Sequence, residues 1–176
     1  DINELKKLTK VKNKYSLISQ NVRSFLKNGD KVVELVEVIK PDFMCLQEIW
    51  LMTPQISGYK CLDVKRSNKR GGGVATLAKE GQMLNKIREI LTKDIECICT
   101  ESKDFLIYNI YLPPQSKTET ALELLSNFTK SETSSKKDKV FVGDFNIDMI
   151  THSSKRELIW KFCTDNKIYP CISKPT

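Results

Sequence analysis

Several common sequence features are missing from this chain of 176 residues. No apolar stretch is long enough to cross a bilayer, so no membrane-spanning segment is expected, and no signal-peptide pattern stands at the start. The six cysteines form no C-x-x-C pair, which argues against a zinc site. No internal repeat is visible, so a repeat architecture is not expected.

The chain has a single histidine, and three of its six cysteines lie in apolar runs. The one histidine, His152, lies in a polar stretch, where we expect an exposed loop residue. Cys45, Cys97 and Cys99 lie in apolar runs, where a free cysteine behaves as a small buried hydrophobe. We therefore expect a reducing compartment and no structural disulfides.

Length and composition fit one globular domain, since 40% of the residues are hydrophobic and 29% are charged. We place this domain at 14–176, after a lysine-rich leader at 1–13. The first residue is Asp1 rather than methionine. We therefore expect the chain to be an excerpt from a longer polypeptide.

The net charge of +7 is carried by two short segments. Residues 1–14 contribute +3, and the other four charges are those of Lys65, Arg66, Lys69 and Arg70. Localised positive charge suits a polyanion, because phosphate contacts release counterions. A solvated tail and a solvated loop are the simpler interpretation, and for the tail we favour it. The loop leads into Gly71-Gly72-Gly73, where backbone could approach a phosphate, although a hairpin or bulge also explains the glycines.

Four apolar segments end in polar side chains. The run from Val140 ends in Asp144 and Asn146, which share one side of a strand because they are two residues apart. The other three runs end at Asn21, Glu48 and Tyr111. Ligands bind at strand ends in sheets covered by helices, so these five residues form a candidate site. A strand-ending turn accounts equally well for Asp144 and Asn146 alone, as does a core aromatic for Tyr111.

Apolar spacing predicts a strand over 15–20, a helix that opens at Gly29-Asp30 and closes at Pro41, and a strand over 43–46. Further strands are expected at 59–65, 73–79, 83–91, 95–101 and 105–112. A second helix over 117–130, a polar loop over 131–139, a third helix capped by Ser153 or Ser154, and a last strand over 168–172 complete the prediction. This order favours packed sheets with helices outside.

Five motifs occur in one order: S-x-N-V-R-S from Ser19, L-Q-E-I-W from Leu46, R-G-G-G-V-A from Arg70, Y-x-P-P from Tyr111 and G-D-F-N-I-D from Gly143. Together they resemble the endonuclease/exonuclease/phosphatase superfamily. The last two motifs and the terminal Lys174-Pro175-Thr176 are similar to the endonuclease domain of non-LTR (LINE-type) retrotransposons. The resemblance implies an α/β fold, a four-layer α/β/β/α sandwich of two mixed sheets with outer helices and with the C-terminal strands missing.

The resemblance also implies a role for each site residue. Glu48, with Asn21 beside it, would bind Mg²⁺ or Mn²⁺ through hard oxygen ligands. Asp144 would orient or deprotonate the attacking water, and Asn146 would position that water or the phosphate. Tyr111 would contact the phosphate as charge develops. Independently of the resemblance, an unpaired carboxylate after an apolar run is costly to bury, which favours a functional Glu48.

One part of the family pattern is absent. Members carry a later Asp and then an S-D-H element, and this chain has neither. His152 cannot replace that histidine, because it follows Asp144 by only eight residues. We therefore expect the 176-residue chain to be an impaired nuclease. Asp148 falls outside the strand-end pattern and is expected to be solvated or to cap a helix.

The leading hypothesis is a metal-dependent DNA endonuclease domain of a retrotransposon polyprotein, which nicks target DNA to prime reverse transcription. It implies synthesis in the cytoplasm, action in the nucleus, no membrane partner and further domains such as a reverse transcriptase. Double-stranded DNA would be contacted by Arg23, Lys65, Arg66, Lys69 and Arg70. The alternatives are an abasic-site DNA repair nuclease and a catalytically dead remnant that binds nucleic acid or a partner protein. Composition does not separate the three.

Overall fold

The computed structural model describes residues 15–67, 70–130 and 137–171. Its strands are β1 (Leu17–Asn21), β2 (Phe43–Gln47), β3 (Tyr59–Val64), β4 (Val74–Lys79), β5 (Asn85–Leu91), β6 (Glu96–Glu101), β7 (Phe105–Tyr111) and β8 (Asp138–Asp144). Its helices are α1 (Phe25–Ile39), α2 (Thr118–Lys130) and α3 (Ser154–Asp165). The predicted leader, Lys69 and the terminal Lys174-Pro175-Thr176 lie outside the described residues.

The strands form two four-stranded mixed sheets with the same arrangement of parallel and antiparallel pairs. Sheet A has the order β1-β2-β4-β3, and sheet B has the order β5-β6-β7-β8. In each sheet one edge strand runs parallel to its neighbour, β1 beside β2 and β8 beside β7, while the other pairs are antiparallel. A parallel pair needs a crossover, and here α1 and α2 supply it. Each sheet therefore brings two parallel carboxyl ends to one edge.

The layers follow from the alternation of side chains along β2. Met44 and Leu46 pack against α1, whereas Phe43 and Cys45 face the other way, towards Ile107 of sheet B. Strand residues i and i+1 point to opposite faces, so a strand covered on both sides is apolar throughout. α1 therefore covers one face of sheet A, and the other face packs on sheet B.

Sheet B is covered on its outer face by two helices. Tyr108 and Ile110 of β7 pack with Leu125 of α2 and Phe162 of α3 in one apolar cluster. Ile107, next to them in sequence, faces sheet A. The order of layers is thus helix, sheet, sheet, helices, which confirms the predicted four-layer α/β/β/α sandwich.

The start of α1 differs from the prediction. The helix begins at Phe25 rather than at Gly29-Asp30, so Gly29 lies inside it. Phe25 is buried, and a Cβ at Gly29 would come within 3.2 Å of its ring. Packing of this aromatic ring decides where the helix starts, which outweighs the cost of an internal glycine.

The predicted last strand is wrong in its described part, because residues 168–171 form no strand. Lys167 adopts a left-handed φ of 55° and ends α3, and the Ile168 amide then donates to the Cys163 carbonyl at 2.8 Å. The chain therefore folds back on the helix instead of extending. β8 also begins at Asp138, inside the predicted polar loop.

The other predicted helices and strands are confirmed, with boundaries within two residues. Ser153 caps α3, and its hydroxyl accepts from the Arg156 amide at 3.2 Å. Cys45, Cys97 and Cys99 are fully buried, as expected for small hydrophobes. Within the described residues, no helix combines the length and apolar character that a bilayer crossing needs.

Candidate active site

The strand-end residues gather at one edge of the sandwich. Asn21, Tyr111 and Asp144 are the last residues of β1, β7 and β8. Tyr111 lies opposite Asp144 in the parallel ladder of sheet B, and Asn21 lies opposite Gln47, the residue before Glu48. Because parallel strands end at the same edge, each sheet contributes one pair of polar groups.

Asn21 joins the two sheets. Its Nδ2 donates to Glu48 Oε1 at 2.8 Å and to Asp144 Oδ2 at 2.6 Å. Its Oδ1 accepts from the Arg23 amide at 3.0 Å, which holds the side-chain amide in this orientation. Two carboxylates from different sheets are therefore held together by one amide group.

Tyr111 completes the cluster from the buried side. The residue is 5% exposed, and its side chain is hydrogen-bonded to Glu48. Burial raises the pKa of the phenol above its usual range, and the negative charges of Glu48, Glu96 and Asp144 raise the pKa further. The hydroxyl consequently stays a neutral hydrogen-bond donor at physiological pH.

Asn146 lies outside β8, whereas Asp144 is its last residue. β8 ends at Asp144, and Asn146 is exposed with a left-handed φ of 50°, so strand alternation no longer relates the two side chains. Its amide Nδ2 donates to the Leu112 carbonyl at 2.7 Å, while its backbone amide donates to Asp144 Oδ1 at 2.9 Å. In this geometry Asn146 holds Asp144 in place from the rim of the cluster.

Gly143, the residue before Asp144, allows β8 to lie close to β7. Gly143 has a φ of 146°, and a Cβ at this position would overlap the carbonyl group of Ile110 on β7. A residue with a side chain would therefore push apart the two strands that carry Tyr111 and Asp144.

Glu48 sits in a backbone turn held from both sides. Its φ is 55°, and its carbonyl accepts from the Ser24 amide at 2.8 Å. The indole Nε1 of Trp50 donates to Glu48 Oε2 at 3.4 Å. Sequence reasoning did not single out Trp50, although it closes the L-Q-E-I-W motif.

Glu96 is a second residue that sequence reasoning missed. The side chain is 0% exposed, accepts from the Gly73 amide and from Arg66 Nε at 2.6 Å, and is ion-paired with Arg66. Burial raises the pKa of its carboxyl group, whereas the Gly73 amide and Arg66 lower the pKa and so oppose the shift. The available signal was an acidic residue directly before the apolar run of residues 97–99, but nothing in the local sequence links it to Gly73.

Of the basic residues predicted to contact DNA, two are ion-paired within the protein and two are exposed. Lys65 pairs with Asp63 at 3.1 Å, and Arg66 with Glu96, while Arg23 and Arg70 are exposed. A pocket of about 310 Å³ adjoins Asn21 and is lined by Arg23 and Lys31. Another, of about 280 Å³, lies beyond the end of β7 and is lined by Arg66, Lys93, Asp94, Pro113, Gln115 and Lys117. Positive side chains thus flank the cluster on two sides.

The cluster fits a hard divalent cation. Among the described residues, neither Glu48 nor Asp144 has an ion-pair partner, so two negative charges are joined only by a neutral amide. Mg²⁺ keeps most of its waters and takes one or two carboxylates, so it needs no larger set of ligands. Asn21 directs its nitrogen, not its oxygen, at the carboxylates, and in this orientation only Glu48 and Asp144 offer ligand oxygens.

A family model describes most of the chain. The model of the endonuclease/exonuclease/phosphatase family matches residues 18–166. The chain belongs to this family. No curated protein sequence matches it. The suspected superfamily is confirmed, and nucleases and phosphatases are the enzymes of the family, generally with divalent metal ions.

Solved structures of the family share the fold. The endonuclease domain of TRAS1, a telomere-specific non-LTR retrotransposon, is 14% identical with a TM-score of 0.67, over 86% of this chain and 70% of that one. An AP endonuclease from Archaeoglobus fulgidus is 18% identical with a TM-score of 0.63, over 85% and 70%. The 3′ phosphatase NExo from Neisseria, bound to a product DNA hairpin, has the same identity, TM-score and coverage.

Two predictions about residues outside the cluster are confirmed. His152 is a surface residue with a side chain 80% exposed, and its Nε2 lies 3.2 Å from Glu157 Oε1. Asp148 is exposed and accepts from the Ile150 amide at 2.8 Å, and its hydrogen bonds to Thr151 and Ile150 lower the pKa of its carboxyl group. Neither side chain takes part in the cluster.

Proposed function

We propose that this chain is a metal-dependent DNA endonuclease domain that hydrolyses a phosphodiester bond. The observation that carries the proposal is the joining of Glu48 and Asp144 by the Asn21 amide, with the Tyr111 hydroxyl bonded to Glu48. Phosphodiester hydrolysis requires charge neutralisation, an oriented water and a hydrogen bond to a developing oxyanion. The cluster offers one group for each requirement.

Each residue has a definite task in this proposal. Glu48 would provide the carboxylate oxygens that hold Mg²⁺ or Mn²⁺, and Asn21 fixes this carboxylate relative to that of Asp144. The bound cation supplies Lewis-acid stabilisation of negative charge on the phosphoryl oxygens. Asp144 accepts a proton from the water as the new O–P bond forms and the bond to the leaving 3′ oxygen breaks. Water then protonates the leaving oxygen.

Tyr111 and Asn146 act on either side of that step. The neutral phenol of Tyr111 donates to a non-bridging phosphate oxygen, where charge increases in the transition state. Asn146 holds Asp144 through its backbone amide, which limits the directions in which the carboxylate can accept a proton. Orientation of this kind lowers the entropic cost of the reaction.

Duplex DNA is the proposed substrate because the cluster lies between positive surfaces. Arg23 and Lys31 line the pocket beside Asn21, and Lys93 and Lys117 line the one beyond β7. A DNA backbone that crosses the cluster could place neighbouring phosphates near both pairs. The related phosphatase from Neisseria was solved with a DNA hairpin, which supports a nucleic-acid substrate for this chain as well.

The narrower role is target-site nicking for a retrotransposon, in the nucleus, with a reverse transcriptase in the same polyprotein. Support comes from the Y-x-P-P and G-D-F-N motifs and from the shared fold with the TRAS1 endonuclease domain. Abasic-site repair is the alternative within the family, and the AP endonuclease of Archaeoglobus fulgidus supports it with the same fold.

The test is a nicking assay with three substrates: supercoiled plasmid, an abasic duplex, and the matched intact duplex, each with Mg²⁺ and with EDTA. Slow Mg²⁺-dependent nicking of the plasmid and of the intact duplex is the expected result, because the family's later Asp and S-D-H element do not occur in these 176 residues. Cleavage confined to the abasic duplex would replace the proposal with a repair function. Salt-sensitive binding of DNA without cleavage of any substrate would identify a binding remnant.

A further inference from the structure

We infer that Glu96 and Arg66 are positioning residues, whose ion pair holds the triple glycine against the backbone that carries Glu48. The inference rests on the proposed function, because Glu48 matters only if the cluster binds a cation. In this role neither side chain contacts the substrate. They act through Gly72 and Gly73.

The carboxylate of Glu96 lies between the two sheets. It belongs to β6, where its neighbour Cys97 packs on the helix side and Ile98 packs with Val64 and Val74 of sheet A. Glu96 therefore points inward, like Ile98, and reaches the loop of sheet A between β3 and β4. A buried carboxylate is tolerated there because Arg66 and the Gly73 amide both bind it.

The glycines are shaped to this carboxylate. A Cβ at Gly72 would lie 2.7 Å from Glu96 Oε2 and 2.9 Å from Cδ, and Gly72 has a φ of +71°. A Cβ at Gly73 would lie 2.8 Å from Ile49 Cγ1, with a φ of +86°. These positions need glycine for contacts within the protein, so close approach of a phosphate is not required to explain them.

The loop in turn holds the residues after Glu48. The Gly73 carbonyl accepts from the Ile49 amide at 3.3 Å, and the Gly72 carbonyl accepts from the Trp50 amide at 2.8 Å. Trp50 then returns to Glu48 through its indole Nε1. A path of contacts thus runs from Arg66 through Glu96 and the two glycines to Ile49 and Trp50, and from the Trp50 indole to the Glu48 carboxylate.

A second contact path leads to Tyr111. Glu96 is the register partner of Tyr111 across β6 and β7, and the ring packs with Val64, Val74 and Ile98. Loss of the ion pair would disturb the packing beneath the phenol as well as the turn above it. The Arg66–Glu96 ion pair therefore supports both partners of the Tyr111–Glu48 hydrogen bond.

The decisive experiment measures cation binding without catalysis. The chain has two tryptophans, so Trp160→Phe on the exposed surface of α3 leaves Trp50, which contacts Glu48, as the sole indole. Quenching of Trp50 fluorescence by Mn²⁺ then reports loading of the site. We expect Glu96→Gln and Arg66→Gln each to weaken apparent Mn²⁺ affinity about tenfold or more, as losses of residues that support metal ligands do.

A double variant shows whether the two residues act as one unit. Combining Arg66→Gln with Glu96→Gln should weaken Mn²⁺ binding little more than either change alone, since residues of one ion pair are not additive. Glu101→Gln is the matched control: Glu101 ends the same strand, pairs with Lys137 at 2.9 Å, and lies at the opposite end from the cluster. This control should keep the affinity of the parent.

Folding and DNA binding are measured on the same variants. Near-UV circular dichroism and urea midpoints identify any variant that loses its fold. If Arg66→Gln does so, Arg66→Lys replaces it, because lysine keeps the positive charge at this partly exposed site. Arg66→Lys should recover part of the Mn²⁺ affinity. The salt dependence of DNA binding should not change in Glu96→Gln.

The outcomes separate this inference from the proposed function. If the parent shows no saturable Mn²⁺ quenching, the metal-dependent function is wrong and the inference falls with it. If the parent binds Mn²⁺ and all folded Glu96 and Arg66 variants bind it equally well, only the inference is overturned. A lower salt slope in Arg66→Gln with unchanged Mn²⁺ affinity would make Arg66 a phosphate contact instead.

Discussion

The two parallel strand pairs have the same geometry but different chemistry. In sheet A, β1 and β2 end at Asn21 and just before Glu48, and both side chains are partly exposed. In sheet B, β7 and β8 end at Tyr111 and Asp144, and Tyr111 is buried. The two sheets differ most in the strand that adjoins the parallel pair. In sheet A this strand is β4, which places Val74 beside the pair, whereas in sheet B it is β6, which places the charged Glu96 beside Tyr111.

The difference shows how two similar sheets make one asymmetric site. Sheet A supplies a carboxylate on a turn that is open to solvent, which suits a hydrated cation. Sheet B supplies a phenol kept neutral by its surroundings and a carboxylate at the end of a strand, which suit hydrogen bonding and proton transfer. Two contacts within the cluster, Asn21 with Asp144 and Tyr111 with Glu48, cross from one sheet to the other.

The largest expected effect comes from removing the sheet A carboxylate. Glu48→Ala should abolish divalent-dependent cleavage, a loss of about 10³-fold or more, because Lewis-acid stabilisation is worth several kcal/mol. Mn²⁺ quenching of Trp50 should disappear as well. Glu80→Ala, at an exposed glutamate beyond the far end of β4, is the control and should cleave normally. Near-normal cleavage by Glu48→Ala would remove sheet A from the chemistry.

Removing the sheet B carboxylate should separate binding from turnover. Asp144→Asn keeps an oxygen for hydrogen bonding but loses the proton acceptor, so kcat for plasmid nicking should fall about 10²–10⁴-fold. Mn²⁺ affinity should fall much less than in Glu48→Ala. The matched control is Asp148→Asn, since Asp148 is exposed and, among the described residues, accepts hydrogen bonds from its own loop alone. Equal losses of Mn²⁺ affinity in both site variants would erase the contrast between the sheets.

The contact between the sheets can be tested at Tyr111. Tyr111→Phe should lower kcat about tenfold, the effect of losing one hydrogen bond to a charged group, with little change in KM. Because the pKa of Tyr111 is raised above the ordinary value of about 10, the folded chain holds this proton more tightly than the unfolded chain. The resulting stability is complete below pH ~10 and is lost as pH rises through the folded-state pKa.

Two measurements check that pH dependence. Absorbance at the tyrosinate band should show no ionisation of Tyr111 near pH 10, so parent and Tyr111→Phe should have equal titration amplitudes there. The stability difference between parent and variant should shift in favour of the variant at still higher pH. A tyrosinate that forms in the parent at ordinary pH, and is missing from the variant, would contradict the buried, neutral phenol.

The smallest effect concerns the two flanks of the cluster. Replacing Arg23 and Arg70, the two exposed arginines among the predicted DNA contacts, with glutamine should lower the slope of log affinity against log salt by roughly two units. Lys79, the last residue of β4, and Lys103, which follows the far end of β6, are the charge-matched control and should leave the slope unchanged. An equal drop in both pairs would mean that DNA binding is not confined to the edge that carries the cluster.

Local sequence was enough to predict where the strands end and which polar groups end them. Runs such as Phe43–Gln47 are buried on every residue, so a single polar side chain after them stands out. The ordered motifs also sufficed for the family and its layers. Capping of α3 by Ser153 follows a local rule that needs no tertiary contact.

Other features depend on contacts between residues far apart in the chain. Burial on both faces hides the alternation of β2 and β7, so which residues face the helices and which face the other sheet follows only from packing. The start of α1 was decided by the burial of Phe25, and the end of the chain after α3 by the fold-back of Ile168. Neither is visible in local periodicity.

The sequence by itself determined the candidate cluster, because a charged or amide side chain directly after a buried apolar strand is costly unless something binds it. Tertiary structure alone decided how those groups are joined. The Asn21–Asp144 bond spans 123 residues of sequence, and the Arg66–Glu96 pair spans 30 and connects a loop of one sheet to a strand of the other. Such contacts are set by the docking of two sheets, and docking depends on the summed burial of both inner faces rather than on any local run of residues.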